Sequence, residues 1–138
     1  MKFSDVTPNL IVSSVERSLA FYRDVLGFSV AATVPENSGP FAFAWMQRDG
    51  VSVFLNSHDS IEEHATLASR PIGGTATLFI VLEADDVSAG VDALFASISP
   101  RARVMMPMKD QFYGMREFGI EDPDGYVIFF AQQIAARE

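Results

Sequence analysis

Apolar positions in this chain follow a helical rhythm that occurs twice. Val15, Leu19, Tyr22 and Leu26 keep the i, i+4, i+7 spacing of one buried stripe, and Val87, Val91, Leu94 and Ile98 reproduce it 72 positions later. Short apolar runs flank each stripe. In the first half, Leu10 to Val12 reads as a strand, and Ser13 with Glu16 forms a capping box that starts a helix. Gly27 ends that helix as a left-handed cap. Phe28 to Val34 is a strand stopped by Pro35, Glu36 to Pro40 is a polar loop, and Phe41 to Arg48 and Val51 to Asn56 flank Asp49-Gly50. Asp-Gly between two such runs is a strong hairpin signal. Pairing Arg48 with Val51 sets Trp45 opposite Phe54, Gln47 opposite Ser52 and Phe43 opposite Asn56 on one face, with Val51, Val53 and Leu55 on the helix side.

After Asn56 the periodicity stops over Ser57 to Gly74, where Ser60 with Glu63 would cap a short helix and Gly73-Gly74 closes the segment. The pattern then resumes with a strand at Thr75 to Glu83, a helix entered at Asp85-Asp86 and a strand at Arg103 to Met108. Tyr113 to Ala131 completes it as a hairpin about Asp122-Pro123-Asp124-Gly125, a turn in which proline presets φ and glycine accepts a positive one. If those four residues alone make the turn, Glu121 pairs with Tyr126, Phe118 lies opposite Phe129 and Ile120 opposite Val127. Arg116, Phe118, Ile120, Val127 and Phe129 then share one face, and Ile128 and Phe130 the other. A bulge after the turn would instead rotate Phe129 away.

These elements spell βαβββ twice, an internal duplication of α+β class. The expected organisation is a single domain over residues 1–138, with modules at 5–56 and 75–132 joined by a linker at 57–74. Each sheet has one helix on its back, so its front must find another cover or line a cavity.

Composition narrows the partners. Eighteen acidic residues against ten basic ones give a formal charge of -8, which disfavours nucleic acid and favours cationic ligands. Cysteine is absent, which excludes disulfides and thiolate chemistry. No apolar run reaches the ~20 residues of a membrane span, and the first residues do not read as a signal peptide, so a soluble cytoplasmic protein is expected.

The runs LIVSSVERSLAFYRDVLGF, LEADDVSAGVDAL and YGMREFGIEDPDGYVIFF resemble the vicinal oxygen chelate superfamily, which includes glyoxalase, extradiol dioxygenases, fosfomycin resistance enzymes and bleomycin resistance proteins. The last run is most similar to the bleomycin resistance branch. The resemblance implies paired βαβββ modules, a homodimer whose sheets curl around a small-molecule pocket, and, in the enzymes, a divalent cation held by His, Gln or Glu at two positions per module. Whether modules pair within a chain or between chains stays open. Counting eight back from Val15 and Val87, and four on from Gly50 and Gly125, puts those positions on Thr7, Phe79, Phe54 and Phe129. One hydroxyl and three phenyl rings cannot supply the three or four donors such an ion needs. The neighbours Val6, Pro8, Leu78, Ile80, Val53, Leu55, Ile128 and Phe130 are no better. A cavity without metal, cofactor or catalytic residue is expected.

The alternative sites are weaker. His58 and His64 with Asp59, Glu62 and Glu63 read as a solvated acidic segment before they read as a metal cluster, since six-residue spacing separates the imidazoles on a helix. No Ser-His-Asp grouping or phosphate loop is present. The aromatic set is the stronger signal: Phe43, Trp45, Phe54, Phe79, Phe118 and Phe129 would line the cavity and suit a planar or cationic guest. Gln47, Asn56, Ser52, Asn9 and Arg116 would orient its polar groups, with Phe112 and Tyr113 as a lip and Pro35 to Pro40 as a lid. Each ring taken alone reads first as ordinary core, and Arg116 could equally pair with Glu117 or Glu121. The expected function is sequestration of an aromatic or cationic drug-like compound; the alternative is a glyoxalase-like lyase or dioxygenase with a divalent metal.

Overall fold

A computed structural model describes residues 1–60, 69–73 and 76–134. It forms two compact units, Met1–Gly73 and Gly74–Glu138. In the first, β1 (Asn9–Val12), α1 (Val15–Asp24), β2 (Ser29–Val34), β3 (Phe43–Arg48) and β4 (Val51–Ser57) build a sheet of order β1-β4-β3-β2. In the second, β5 (Thr77–Val81), α2 (Val91–Ile98), β6 (Arg103–Asp110), β7 (Met115–Glu121) and β8 (Val127–Gln133) build the order β5-β8-β7-β6. The first strand of each unit runs parallel to the last, and the remaining pairs are antiparallel. The duplication is therefore real in topology. The segment proposed as a short capped helix at Ser60–Glu63 runs mostly outside the described residues, after a 3-10 turn at His58–Ser60.

The first unit follows its hydrophobic pattern closely. Val15, Leu19, Tyr22 and Leu26 are all buried, packed over Val12, Ala44, Met46, Val53 and Leu55 from the sheet. The N-cap is Ser14 and not Ser13: Ser14 Oγ accepts the Arg17 amide at 3.2 Å, while Ser13 Oγ accepts from the Arg17 guanidinium at 2.7 Å. Glu16 does not close a capping box, because its carboxylate accepts the Phe41 amide and so ties the Pro35–Pro40 loop to the helix. Gly27 has φ +75, as a left-handed cap requires, and the Leu26 carbonyl behind it accepts from Arg48 Nη1 at 2.6 Å.

The second unit departs from the pattern twice. Its helix starts at Val91, because Asp86 diverts the chain into a turn: Asp86 Oδ1 accepts the Ala89 amide at 2.7 Å and its carbonyl accepts the Gly90 amide at 3.0 Å. Gln132 from β8 then stands in for a cap, accepting the Val91 amide at 2.9 Å and donating to the Asp86 carbonyl at 3.1 Å. A side chain at Gly90 would lie 2.1 Å from that Gln132 oxygen. Val91 and Ile98 are buried, whereas Val87 and Leu94 are half-buried.

The other departure is the hairpin register. The amide of Asp122 donates to the Tyr126 carbonyl at 2.8 Å, and Asp122 Oδ1 accepts the amides of Asp124 and Tyr126, both at 2.9 Å. Tyr126 thus belongs to the turn. Glu121 pairs with Val127, Ile120 with Ile128, Gly119 with Phe129 and Phe118 with Phe130, not the expected pairs. A one-residue slip exchanges the faces of a strand. Phe118 and Ile120 therefore turn to the helix side, while Phe129 stays on the opposite face.

Candidate functional site

Each sheet has a face turned away from its helix. On the first, strand alternation presents Phe43, Trp45 and Gln47 from β3 beside Asn56, Phe54 and Ser52 from β4, the register that the Asp49-Gly50 turn predicts. Asp49 adopts φ +50 to make that turn. Phe54 is the centre of the aromatic group, with Phe43 at 5.2 Å and Trp45 at 6.0 Å, both edge-on. These are favourable quadrupolar arrangements that leave ring surface free. Trp45 remains 36% exposed, and its indole N–H donates to Ser52 Oγ at 3.0 Å. At the β1 edge, Asn56 Nδ2 donates to Asn9 Oδ1.

On the second face, Phe79 and Phe129 sit as neighbours on β5 and β8, with ring centroids 6.4 Å apart. Phe79 is 51% exposed. Gly119 lies beside Phe129, and a Cβ there would stand 2.9 Å from the Phe129 ring, so the absence of a side chain is what lets that ring lie over β7. Glu117, two residues before Gly119, shares its side of β7 and is only 3% exposed. Its Oε1 accepts from Gln111 Nε2 at 3.0 Å and from the Tyr113 hydroxyl. That bond is the main reason why the Tyr113 phenol is pushed up to about 12. Phe112 projects beside Tyr113 at 5.2 Å and is almost wholly exposed.

Two expected site residues lie elsewhere. Phe118 is fully buried between Phe95 of α2, at 5.0 Å, and Phe130, at 5.3 Å. Arg116 points the same way and pairs with Asp92 of α2 at 2.8 Å and with Asp110 at 3.0 Å, neither being the Glu117 or Glu121 considered from the chain. The Asp92 bond first, then Asp110, holds its guanidinium pKa above the ordinary value. Glu121 is 3.7 Å from Arg103 instead. The slipped register explains both misplacements, and it equally hid Glu117, which the chain alone suggested only as a surface partner. Phe43, Trp45, Gln47, Phe54 and Asn56 share the first open face, Phe79 and Phe129 the second, and Phe112 and Tyr113 precede β7.

The metal positions also shift. Phe79 lies beside Phe129, and the residue in the matching place beside Phe54 is Asn9, not Thr7. Counting back from the helical stripe fails because Asn9 precedes Val15 by six positions whereas Phe79 precedes Val87 by eight. Asn9 with Phe54 in the first unit offers one carboxamide oxygen, already accepting from Asn56, and Phe79 with Phe129 in the second offers none. That donor chemistry does not fit a divalent cation, which needs three or four oxygen or nitrogen ligands. Among the described residues no three His, Cys, Asp or Glu side chains group to hold one. Of the acidic linker cluster, His58 is 3.8 Å from Asp59, and Glu62, Glu63 and His64 lie outside the described residues.

Two βαβββ units with open, aromatic sheet faces define a class. The chain belongs to the Glyoxalase/Bleomycin resistance protein/Dioxygenase superfamily, whose family model matches residues 5–130. It is 32% identical over 138 aligned residues to a bleomycin resistance protein of Geobacillus stearothermophilus, covering 92% of this chain and 95% of that one. It is 29% identical to a lactoylglutathione lyase of Haemophilus influenzae, covering 93% and 91%. In fold it is similar to the bleomycin-binding protein of Streptomyces verticillus, crystallised with copper(II)-bleomycin, at a TM-score of 0.63, 21% identity and 99% coverage of both chains.

Proposed function

We propose that this protein binds and sequesters a small aromatic or cationic drug-like molecule, in the manner of its bleomycin resistance relatives, without a metal ion and as a cytoplasmic homodimer. The carrying observation is the replacement of most ion ligands by hydrocarbon: where enzymes of the superfamily would place donors, this chain has Asn9 and Phe54 in the first unit and Phe79 and Phe129 in the second. Around them stand partly exposed rings, which gain free energy by stacking on a planar guest and attract a cation through their π faces. An overall charge of -8 adds long-range attraction for a positive ligand. Sequestration needs no bond to be made or broken, only a free ligand concentration lowered by mass action. No described helix is long and apolar enough to cross a membrane.

Isothermal titration with metal-free bleomycin tests the reading. Saturable binding with the same affinity in excess EDTA is expected, and loss of binding on chelation overturns metal independence. Trp45 is the single tryptophan, so its emission should change as the ligand stacks on the first open face. Phe54→Ala should weaken binding about fivefold or more, given ~1–3 kcal/mol for a lost aromatic contact. The similarity to a lactoylglutathione lyase supports a second reading, a metal-dependent lyase or dioxygenase. A stoichiometric metal in elemental analysis of purified protein would favour it.

A further inference from the structure

Glu117 carries more than its hydrogen bonds explain. The residue is 97% removed from solvent, and while Oε1 accepts from both Gln111 and Tyr113, Oε2 is buried without a hydrogen-bond partner among the described residues. No cation is paired with it among the described residues. Leaving a buried carboxylate oxygen unmatched costs free energy that a chain normally avoids, so a partner that arrives later is the economical explanation. The surroundings agree. Glu117 stands on the same side of β7 as Gly119, where the missing side chain lets the Phe129 ring lie down, with Phe79 beside it. The Tyr113 side chain, whose hydroxyl donates to Oε1, is itself 46% exposed.

We propose that Glu117 is the specificity-determining anchor of the ligand site, with Oε2 accepting an N–H from a protonated amine or amidine carried by an aromatic guest stacked on Phe129 and Phe79. This rests on the binding reading above and names its ligand class: a planar ring with a cationic N–H donor a short arm away. In unit 1 the matching position is held by Phe43, which pairs with Asn56 as Glu117 pairs with Ala131, so the charge selectivity resides in one unit only. A cation at Oε2 restores the missing bond and neutralises a buried charge together, which a neutral hydroxyl cannot do.

The test uses 2-naphthylmethylammonium and 2-naphthylmethanol, which share a ring and differ in charge, titrated calorimetrically into the full chain at neutral pH. Wild-type protein should prefer the ammonium by about tenfold or more, the scale of a buried charge-assisted bond. In Glu117→Gln, which keeps the shape and an acceptor for Gln111 and Tyr113, that preference should collapse to about twofold or less. A preference that survives in the variant overturns the assignment to Glu117. No preference in wild type overturns it as well. If neither probe binds, the aromatic-pocket reading itself fails and takes this inference with it, an outcome distinct from equal binding of both. Near-UV circular dichroism checks the variant's fold. Independently of any variant, a crystal structure of wild type with the ammonium must place its nitrogen within hydrogen-bond distance of Oε2, and a nitrogen bound elsewhere refutes the proposal.

Discussion

The two units share strand order and pairing and differ in how each spends its open face. Unit 1 crowds Phe43, Trp45 and Phe54 edge to edge, so that the rings brace one another and the polar groups Gln47, Ser52 and Asn56 stand at their margins. In unit 2 the positions of Trp45 and Phe43 are taken by Gly119 and Glu117, which opens space over β7 and puts one buried carboxylate beneath it. The helix sides differ as well. Unit 1 closes its core with aliphatic residues and the edge-on pair Tyr22 and Phe28, while unit 2 uses a three-ring cluster of Phe95, Phe118 and Phe130. A duplicated fold can thus keep its topology while one copy specialises in ring surface and the other in charge.

The widest test of this contrast is between two phenylalanines of unit 2. Phe118→Ala should cost about 3–5 kcal/mol in urea denaturation, because a fully buried ring leaves a cavity between α2 and β8. Phe79→Ala, at a half-exposed ring, should cost about 1 kcal/mol or less. Equal losses would mean that the faces of the hairpin are assigned wrongly. Gly119→Ala comes next: its Cβ would meet the Phe129 ring at 2.9 Å, for an expected loss of about 1–3 kcal/mol. The matching change in unit 1, Trp45→Ala, should stay below that, since it removes a partly exposed ring and creates no clash.

Helix starts sharpen the comparison on a smaller scale. Ser14→Ala should destabilise by about 1 kcal/mol and Ser13→Ala by a few tenths, because only Ser14 caps α1. In unit 2 the equivalent sensitivity should move to Gln132, far away in sequence. The smallest effect is spectroscopic. Tyr113 should ionise near pH 12 in absorbance titration, and Glu117→Gln should bring it down toward the ordinary tyrosine range. The sign follows from a folded pKa raised above the unfolded one: the Tyr113 bond supports the fold below pH ~10 and is lost as pH climbs toward 12.

The hydrophobic rhythm disclosed the duplication, the class and the whole first hairpin, since Asp49-Gly50 allows one economical turn and apolar alternation then orients every residue of β3 and β4. Local physics was enough there. The second hairpin was not legible in the same way, because β8 is apolar on both faces and offers no alternation to correct a miscounted turn, although β7 alternates Phe118 and Ile120 with Glu117, Gly119 and Glu121. Whether Tyr126 closed the turn or opened the strand rested on the Asp122 carboxylate reaching its amide, a contact visible only in three dimensions. The metal positions failed for a related reason: Phe79 lies two residues further from Val87 than Asn9 lies from Val15, and only the parallel pairing of Asn9 with Phe54 reveals it.

The order of residues by itself determined the paired βαβββ plan and the first helical stripe, because each depends on residue type and short-range spacing. Tertiary structure decided which way Phe118, Arg116 and Glu117 point, because a strand has two faces and one hydrogen bond in a turn is enough to exchange them.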